Sequence, residues 1–146
     1  VIVLDTNVVS EFFRPRPDEA VVDWVRGLEG EVAVTAITVA ELLAGLEALP
    51  EGRRRRALTQ AVHSALLPYR GSSAILPFDD LAAEHYAQVL AFRRRAGAPI
   101  STADAQIAAI CRVAGAELAT RNTADFADTG VRVVDPWTRG RAQWRG

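Results

Sequence analysis

Lysine is absent from this sequence: all 17 basic residues are arginine. With 18 acidic residues the net charge is −1, which excludes a polycation. Nucleic acid, if bound, must be met by local patches. The arginine fork suits bidentate phosphate contact better than an ammonium does. A single cysteine, Cys111, excludes an internal disulfide and fits a reducing cytoplasm. It lies in the apolar run Ile107-Ala108-Ala109-Ile110-Cys111, where it reads as a small core hydrophobe. Methionine is missing altogether, the initiator included. No apolar run approaches the ~18 residues of a membrane span. Val1 to Leu4 is apolar, but an acid follows at once and no basic segment precedes it, so it reads as a strand and not a signal peptide. No histidine–cysteine set has zinc spacing.

What is present is a regular alternation of short apolar runs and helical periodicity. Strands are expected at Val1 to Leu4, Val32 to Val34, Ala74 to Leu76, Glu117 to Thr120 and Val131 to Val134. Helices are expected over Val8 to Phe13, Asp18 to Leu28, Thr38 to Leu49, Arg53 to Leu67, Leu81 to Ala96 and Ser101 to Ala114. Pro15, Gly30, Pro50 and Gly115 punctuate them. Continuous apolar strands are typical of a sheet buried on both faces. The pattern predicts an α/β domain with a mostly parallel sheet of five strands flanked by helices. No repeat or linker divides the chain. It reads as one domain over residues 1–138 and a polar C-terminal tail over 139–146.

In a parallel sheet, ligands gather beyond the carboxyl ends of the strands. Asp5 follows the first expected strand, Thr38 to Glu41 the second, and Asn122 and Asp125 the fourth. Asp104 falls in the first turn of the helix leading into that fourth strand. Each has an ordinary structural reading. Thr38 with Glu41, and Ser101 with Asp104, match capping boxes, Asn122 with Asp125 matches more loosely, and Asp5 can cap the helix after it. Their joint placement is the stronger signal. Carboxylates gathered on one rim repel unless a cation or proton joins them. An all-oxygen set suits a hard cation such as Mg²⁺ or Mn²⁺.

These residues resemble a known family. Val3-Leu4-Asp5-Thr6-Asn7-Val8-Val9-Ser10-Glu11 is similar to the opening motif of PIN-domain ribonucleases. Ala36-Ile37-Thr38-Val39-Ala40-Glu41-Leu42, Ala103-Asp104-Ala105-Gln106-Ile107-Ala108-Ala109 and Ala119-Thr120-Arg121-Asn122-Thr123-Ala124-Asp125-Phe126 resemble the later motifs, in order. Ile75-Leu76-Pro77-Phe78-Asp79 and Asp135-Pro136-Trp137 resemble the FitB-like branch of the VapC toxins. The similarity covers essentially the whole chain. It implies a single PIN-like domain and a cytoplasmic toxin of a type II toxin–antitoxin pair that cleaves RNA, often transfer or ribosomal RNA, with Mg²⁺ or Mn²⁺. It further implies a homodimer and a cognate antitoxin whose other half binds operator DNA. In one respect the chain departs from the pattern: the fourth acidic position is Asn122, which is neutral.

Asp5, Glu41 and Asp104 are thus the expected catalytic and metal-holding residues, with Asn122 and Asp125 as further metal candidates. Glu41 or Asp104 would orient or deprotonate the attacking water. Thr6 and Thr120 are expected to position ligands, and Arg121 to meet substrate phosphate. The arginine runs 53–56 and 93–95 read as solvated helix faces. The first sits at a helix start, where the dipole disfavours cations, which hints at phosphate or partner contact. Arg139, Arg141 and Arg145 would extend a phosphate track. Val9, Phe12, Phe13, Val21, Trp24 and Val25 read mostly as core, but the resemblance implies an antitoxin docked near these helices in a helix-in-groove mode, with Val9, Phe12, Phe13 and Trp24 as its expected contacts. His63 and His85 read as structural or surface residues. Two other readings compete. A phosphatase with Asp5 as nucleophile needs a second acid two residues on and a lysine, where this chain has Asn7 and none. A binding module that has lost catalysis would explain Asn122.

Overall fold

The computed structural model describes residues 1–138. The expected tail at 139–146, with Arg139, Arg141 and Arg145, lies outside the described residues. Five strands form one sheet: β1 (Ile2–Leu4), β2 (Val32–Thr35), β3 (Ile75–Leu76), β4 (Glu117–Ala119) and β5 (Val133–Val134). Their order is β3-β2-β1-β4-β5 and every pairing is parallel. From β1 the chain builds outward through β2 and β3, then returns to lay β4 and β5 on the other side. The order therefore reverses between β1 and β4, and a crevice opens at such a switch point beyond the strand ends.

The strands are apolar throughout because both faces are covered. Side chains alternate faces along a strand. Val3, Ala33 and Leu118 enter one core cluster, with Val89, Ala105, Ala108 and Phe126. Their immediate successors Leu4, Val34 and Ala119 enter the opposite cluster, with Val8, Val21, Trp24 and Trp137. The first face is covered by helices α5 (Asp80–Arg95) and α6 (Thr102–Ala114), the second by α1 (Thr6–Glu11) and α2 (Glu19–Arg26). Small residues at Ala105, Ala108 and Ala109, all fully buried, let α6 sit deep against the sheet. Helices α3 (Ala36–Glu47) and α4 (Arg53–Arg70) form a hairpin around Leu42, Leu46, Val62 and Leu66.

Helix ends follow local chemistry. Asp18 caps α2 by accepting from the Ala20 amide at 2.9 Å, and buried Glu11 accepts from the Asp18 amide at 2.9 Å. Gly115 ends α6 in the left-handed region at φ 62°, which glycine adopts without a Cβ clash. Helix α4 runs through Pro68, past the expected end at Leu67. A proline so close to the C-terminus costs one hydrogen bond in a turn that is already incomplete. Helix α3 starts at Ala36, two residues earlier than Thr38, because Thr35 and not Thr38 caps it.

Two expectations about side chains are revised. The run 93–95 is not a uniformly solvated face: Arg93 is 5% exposed. Trp24 is a core residue packed with Val21, Val34 and Trp137. Cys111 is buried as expected, and burial pushes its thiol up to about 12, so it stays protonated. Among the described residues, no helix is long and apolar enough to cross a membrane.

Phe126 is 1% exposed and anchors the short 3-10 turn Thr123–Phe126 to the α5–α6 face. Phe126→Ala should cost about 3–5 kcal/mol of unfolding free energy, measured by urea denaturation. Leu67→Ala, at an exposed position, should stay within about 0.5 kcal/mol.

Candidate active site

The carboxyl ends of β1 and β4 lie side by side, and Asp5 is the first residue off β1. Its amide still donates to the Ala119 carbonyl at 2.9 Å, so the sheet fixes its backbone. Its Oδ1 accepts from the Thr6 amide at 2.8 Å and caps α1. Its Oδ2 accepts from the Thr120 hydroxyl at 2.8 Å and from Asn7 Nδ2 at 3.2 Å. The capping expectation for Asp5 is met, and the cap uses one oxygen only.

Thr120 is fully buried at the end of β4. While it donates to Asp5, its Oγ1 accepts from the Asn122 amide at 3.1 Å. Asn7 Oδ1 accepts from the Arg121 amide at 3.2 Å. Asn7 and Thr120 thus sew the β1–α1 turn to the 120–122 loop. The sequence signal for this role of Asn7 is its place two residues after Asp5, where a phosphatase would need an acid.

Glu41 reaches the same rim from α3. Thr6 Oγ1 lies 2.7 Å from Glu41 Oε1 and 3.0 Å from Thr38 Oγ1. Having one proton, the Thr6 hydroxyl donates to the carboxylate, the stronger acceptor. Thr38 is fully buried, and its amide donates to Thr35 Oγ1 at 3.1 Å. Thr38 therefore supports Thr6 and is not the N-cap.

Asp104 stands in the first turn of α6, where its amide donates to the cap residue Ser101 at 3.1 Å. Asp125 projects from the exposed turn after β4. Asn122 precedes that turn and its side chain makes no cap bond there. The Arg121 guanidinium stacks over the Trp137 ring at 5.0 Å, which holds an exposed cation beside the rim.

The acids share one electrostatic field. Burial raises the Asp5 carboxyl above its ordinary value; the hydrogen bonds from Thr120 and Thr6 pull it down, and Asp104 and Glu41 push it up. Burial also raises Asp104; Ser101 opposes this, Asp125 and Glu41 add to it, and Arg93 opposes it. The structure so brings Asp5, Glu41, Asp104 and Asp125 into mutual influence, with Thr6, Thr120, Arg121 and Asn122 around them. Among the described residues, no three acidic, histidine or cysteine side chains are grouped tightly enough to hold a metal ion as they stand. The donor chemistry nevertheless fits a hard cation: the set is all oxygen, and its two most buried acids are destabilised by their neighbours' charge.

The helices on the opposite face leave an apolar cleft of about 180 Å³. Val9, Phe12 and Phe13 line it with Val25, Leu66 and Tyr69. Trp24 does not line it, being held in the core beneath. His63 is exposed on α4, and His85 on α5 is partly buried, its Nδ1 enclosed without a partner among the described residues.

Comparison with known proteins gives this geometry a family. Residues 2–131 match the PIN domain. Toxin FitB of Neisseria gonorrhoeae is 41% identical over 138 residues, covering 94% of this chain and 99% of that protein. VapC ribonuclease Y4jK of Sinorhizobium fredii is 40% identical over 138 residues, covering 94% and 98%. The solved structure of FitAB bound to an IR36 DNA fragment superposes with a TM-score of 0.87 at 39% identity, covering 94% of this chain and 96% of that one. The chain belongs to the PIN-domain family, within its branch of VapC and FitB toxins.

Proposed function

We propose that this protein is a metal-dependent ribonuclease that acts as the toxin of a type II toxin–antitoxin pair, hydrolysing RNA phosphodiester bonds at the rim around Asp5. The observation that carries this reading is the Asp5 carboxylate at the switch point of a parallel sheet, raised first by its burial and further by its neighbours Asp104 and Glu41. Asp5 and Asp104 would hold a Mg²⁺ or Mn²⁺ ion, with Glu41 close by and Asn122 and Asp125 as further oxygen donors. When bound, such an ion offsets the carboxylates' charge and supplies Lewis-acid chemistry toward water and phosphate.

The chain's own groups divide the remaining work. Thr6, Asn7 and Thr120 hold Asp5 in one orientation through both its oxygens. Glu41 is exposed and takes a hydrogen bond from Thr6 on Oε1, which aims the carboxylate as a proton acceptor for the attacking water. Arg121, steadied by Trp137, pairs with a substrate phosphate. The neutral Asn122 contributes a carbonyl oxygen where a fourth acid would add charge, so this corner holds a second ion weakly.

The apolar cleft lined by Val9, Phe12 and Phe13 is the site for the antitoxin. Operator DNA is then met through the antitoxin, in keeping with the FitAB–DNA assembly. A cytoplasmic homodimer completes the reading.

Asp5→Asn and Asp104→Asn should each lower RNA cleavage in Mg²⁺ by about a hundredfold or more, and chelation should abolish it. Unchanged cleavage in both variants would sink the proposal, and a wild-type chain that shows no metal-dependent cleavage would favour a binding module without catalysis. Asp5→Asn should also change stability in the opposite sense. Because the folded carboxyl is raised above 3.8, the native state binds the extra proton, and stability falls as pH rises through the raised value. At neutral pH without divalent cations, Asp5→Asn should therefore melt above wild type in thermal unfolding. The gain should fade as pH falls toward 3.8.

A further inference from the structure

Arg93 lies in the last turn of α5 with its guanidinium inside the protein, at 5% exposure. Burying such a charge is costly unless its donors are satisfied. Among the described residues it forms no ion pair. Four backbone carbonyls surround it instead. Nε donates to Ala98 at 2.7 Å and Nη2 to Pro99 at 3.1 Å. Nη1 donates to Ala124 at 3.1 Å and to Ala127 at 2.8 Å.

These carbonyls belong to two separate segments. Ala98 and Pro99 lie in the loop that leads to Ser101, the cap of α6, and so to Asp104. Ala124 and Ala127 bracket Asp125 in the turn that follows Asn122. The Asp125 turn has no side-chain cap of its own, since Asn122 makes no such bond to it. The planar fork has donors on three nitrogens and can satisfy both at once; an ammonium cannot span them.

We propose that Arg93 is a positioning residue for the acidic site, one guanidinium clamping the Asp125 turn to the loop that launches Asp104. The proposal rests on the reading of these acids as the working site. Arg93 itself touches no substrate. Its charge also favours the ionised form of Asp104, against the burial and neighbouring acids that oppose it. The neighbours Arg94 and Arg95 are exposed, and Arg95 lies over the Phe92 ring at 5.7 Å, so the run combines one internal clamp with two surface cations.

The test compares Arg93→Lys with wild type and with Val62→Ala, a buried change in the α3–α4 hairpin away from the site. Amide hydrogen exchange and Mn²⁺ affinity by calorimetry are read alongside thermal unfolding. In Arg93→Lys, the amides of Ala105 and Asp125 should exchange faster while Leu118 in β4 keeps its protection. Mn²⁺ affinity should fall about tenfold or more, the range for groups that orient metal ligands. Val62→Ala should lower the melting temperature but leave Mn²⁺ affinity unchanged. Arg93→Gln serves for the same readouts if the lysine variant does not fold. Exchange that rises no more at the two segments than elsewhere, or wild-type Mn²⁺ affinity in Arg93→Lys, overturns the proposal. Should wild type itself bind no Mn²⁺, the metal reading fails, and the exchange pattern alone decides whether Arg93 couples the two segments.

Discussion

Everything at the rim depends on how one buried carboxylate is held. Asp5 is enclosed at 3% exposure, and desolvation disfavours its charge. Three hydrogen-bond donors, the Thr6 amide, the Thr120 hydroxyl and the Asn7 amide group, favour that charge and fix both oxygens. Nearby Glu41 and Asp104 disfavour it again. Without a counter-ion the charge is poorly tolerated, and the hydrogen bonds keep the group in place all the same. Such a group suits the cation proposed for this site. A purely structural cap would not need two further acids next to it.

The topology explains why this tension arises at one point. Strand order reverses between β1 and β4, so residues 115 positions apart in sequence, Asp5 and Thr120, hydrogen-bond directly. Glu41 arrives on the helix after β2 and Asp104 on the helix before β4. Each is set by its own cap, Thr35 and Ser101. The acids are thus carried by regular elements with both sheet faces buried, and only the Asn122–Asp125 corner sits on a turn. That corner is also the one lacking a carboxylate at Asn122. Arg93 ties this weaker corner back to the base of α6.

Much of this was legible in the sequence, because the signals are local. Apolar runs of strand length marked all five strands, and the acids could be placed relative to strand ends without coordinates. Asp5 as a cap and Ser101 with Asp104 were read from spacing alone. Long-range side-chain contacts were not legible. Thr38 looked like a cap, and only the structure shows it turned toward Thr6 while Thr35 takes that role. Arg93 looked like part of a solvated run, since nothing in Arg93-Arg94-Arg95 distinguishes the buried member. Trp24 carried two readings, core residue and partner contact, and its packing with Val34 and Trp137 decides for the core.

On the proposed function, Asp5 carries a charge that a divalent cation would relieve. The most direct measurement is a carboxyl carbon NMR titration of Asp5 with and without Mg²⁺. A midpoint above the ordinary 3.8 is expected in the absence of the ion, with a clear downward move when Mg²⁺ is added. An ordinary midpoint without the ion, or one that Mg²⁺ leaves where it was, would contradict it.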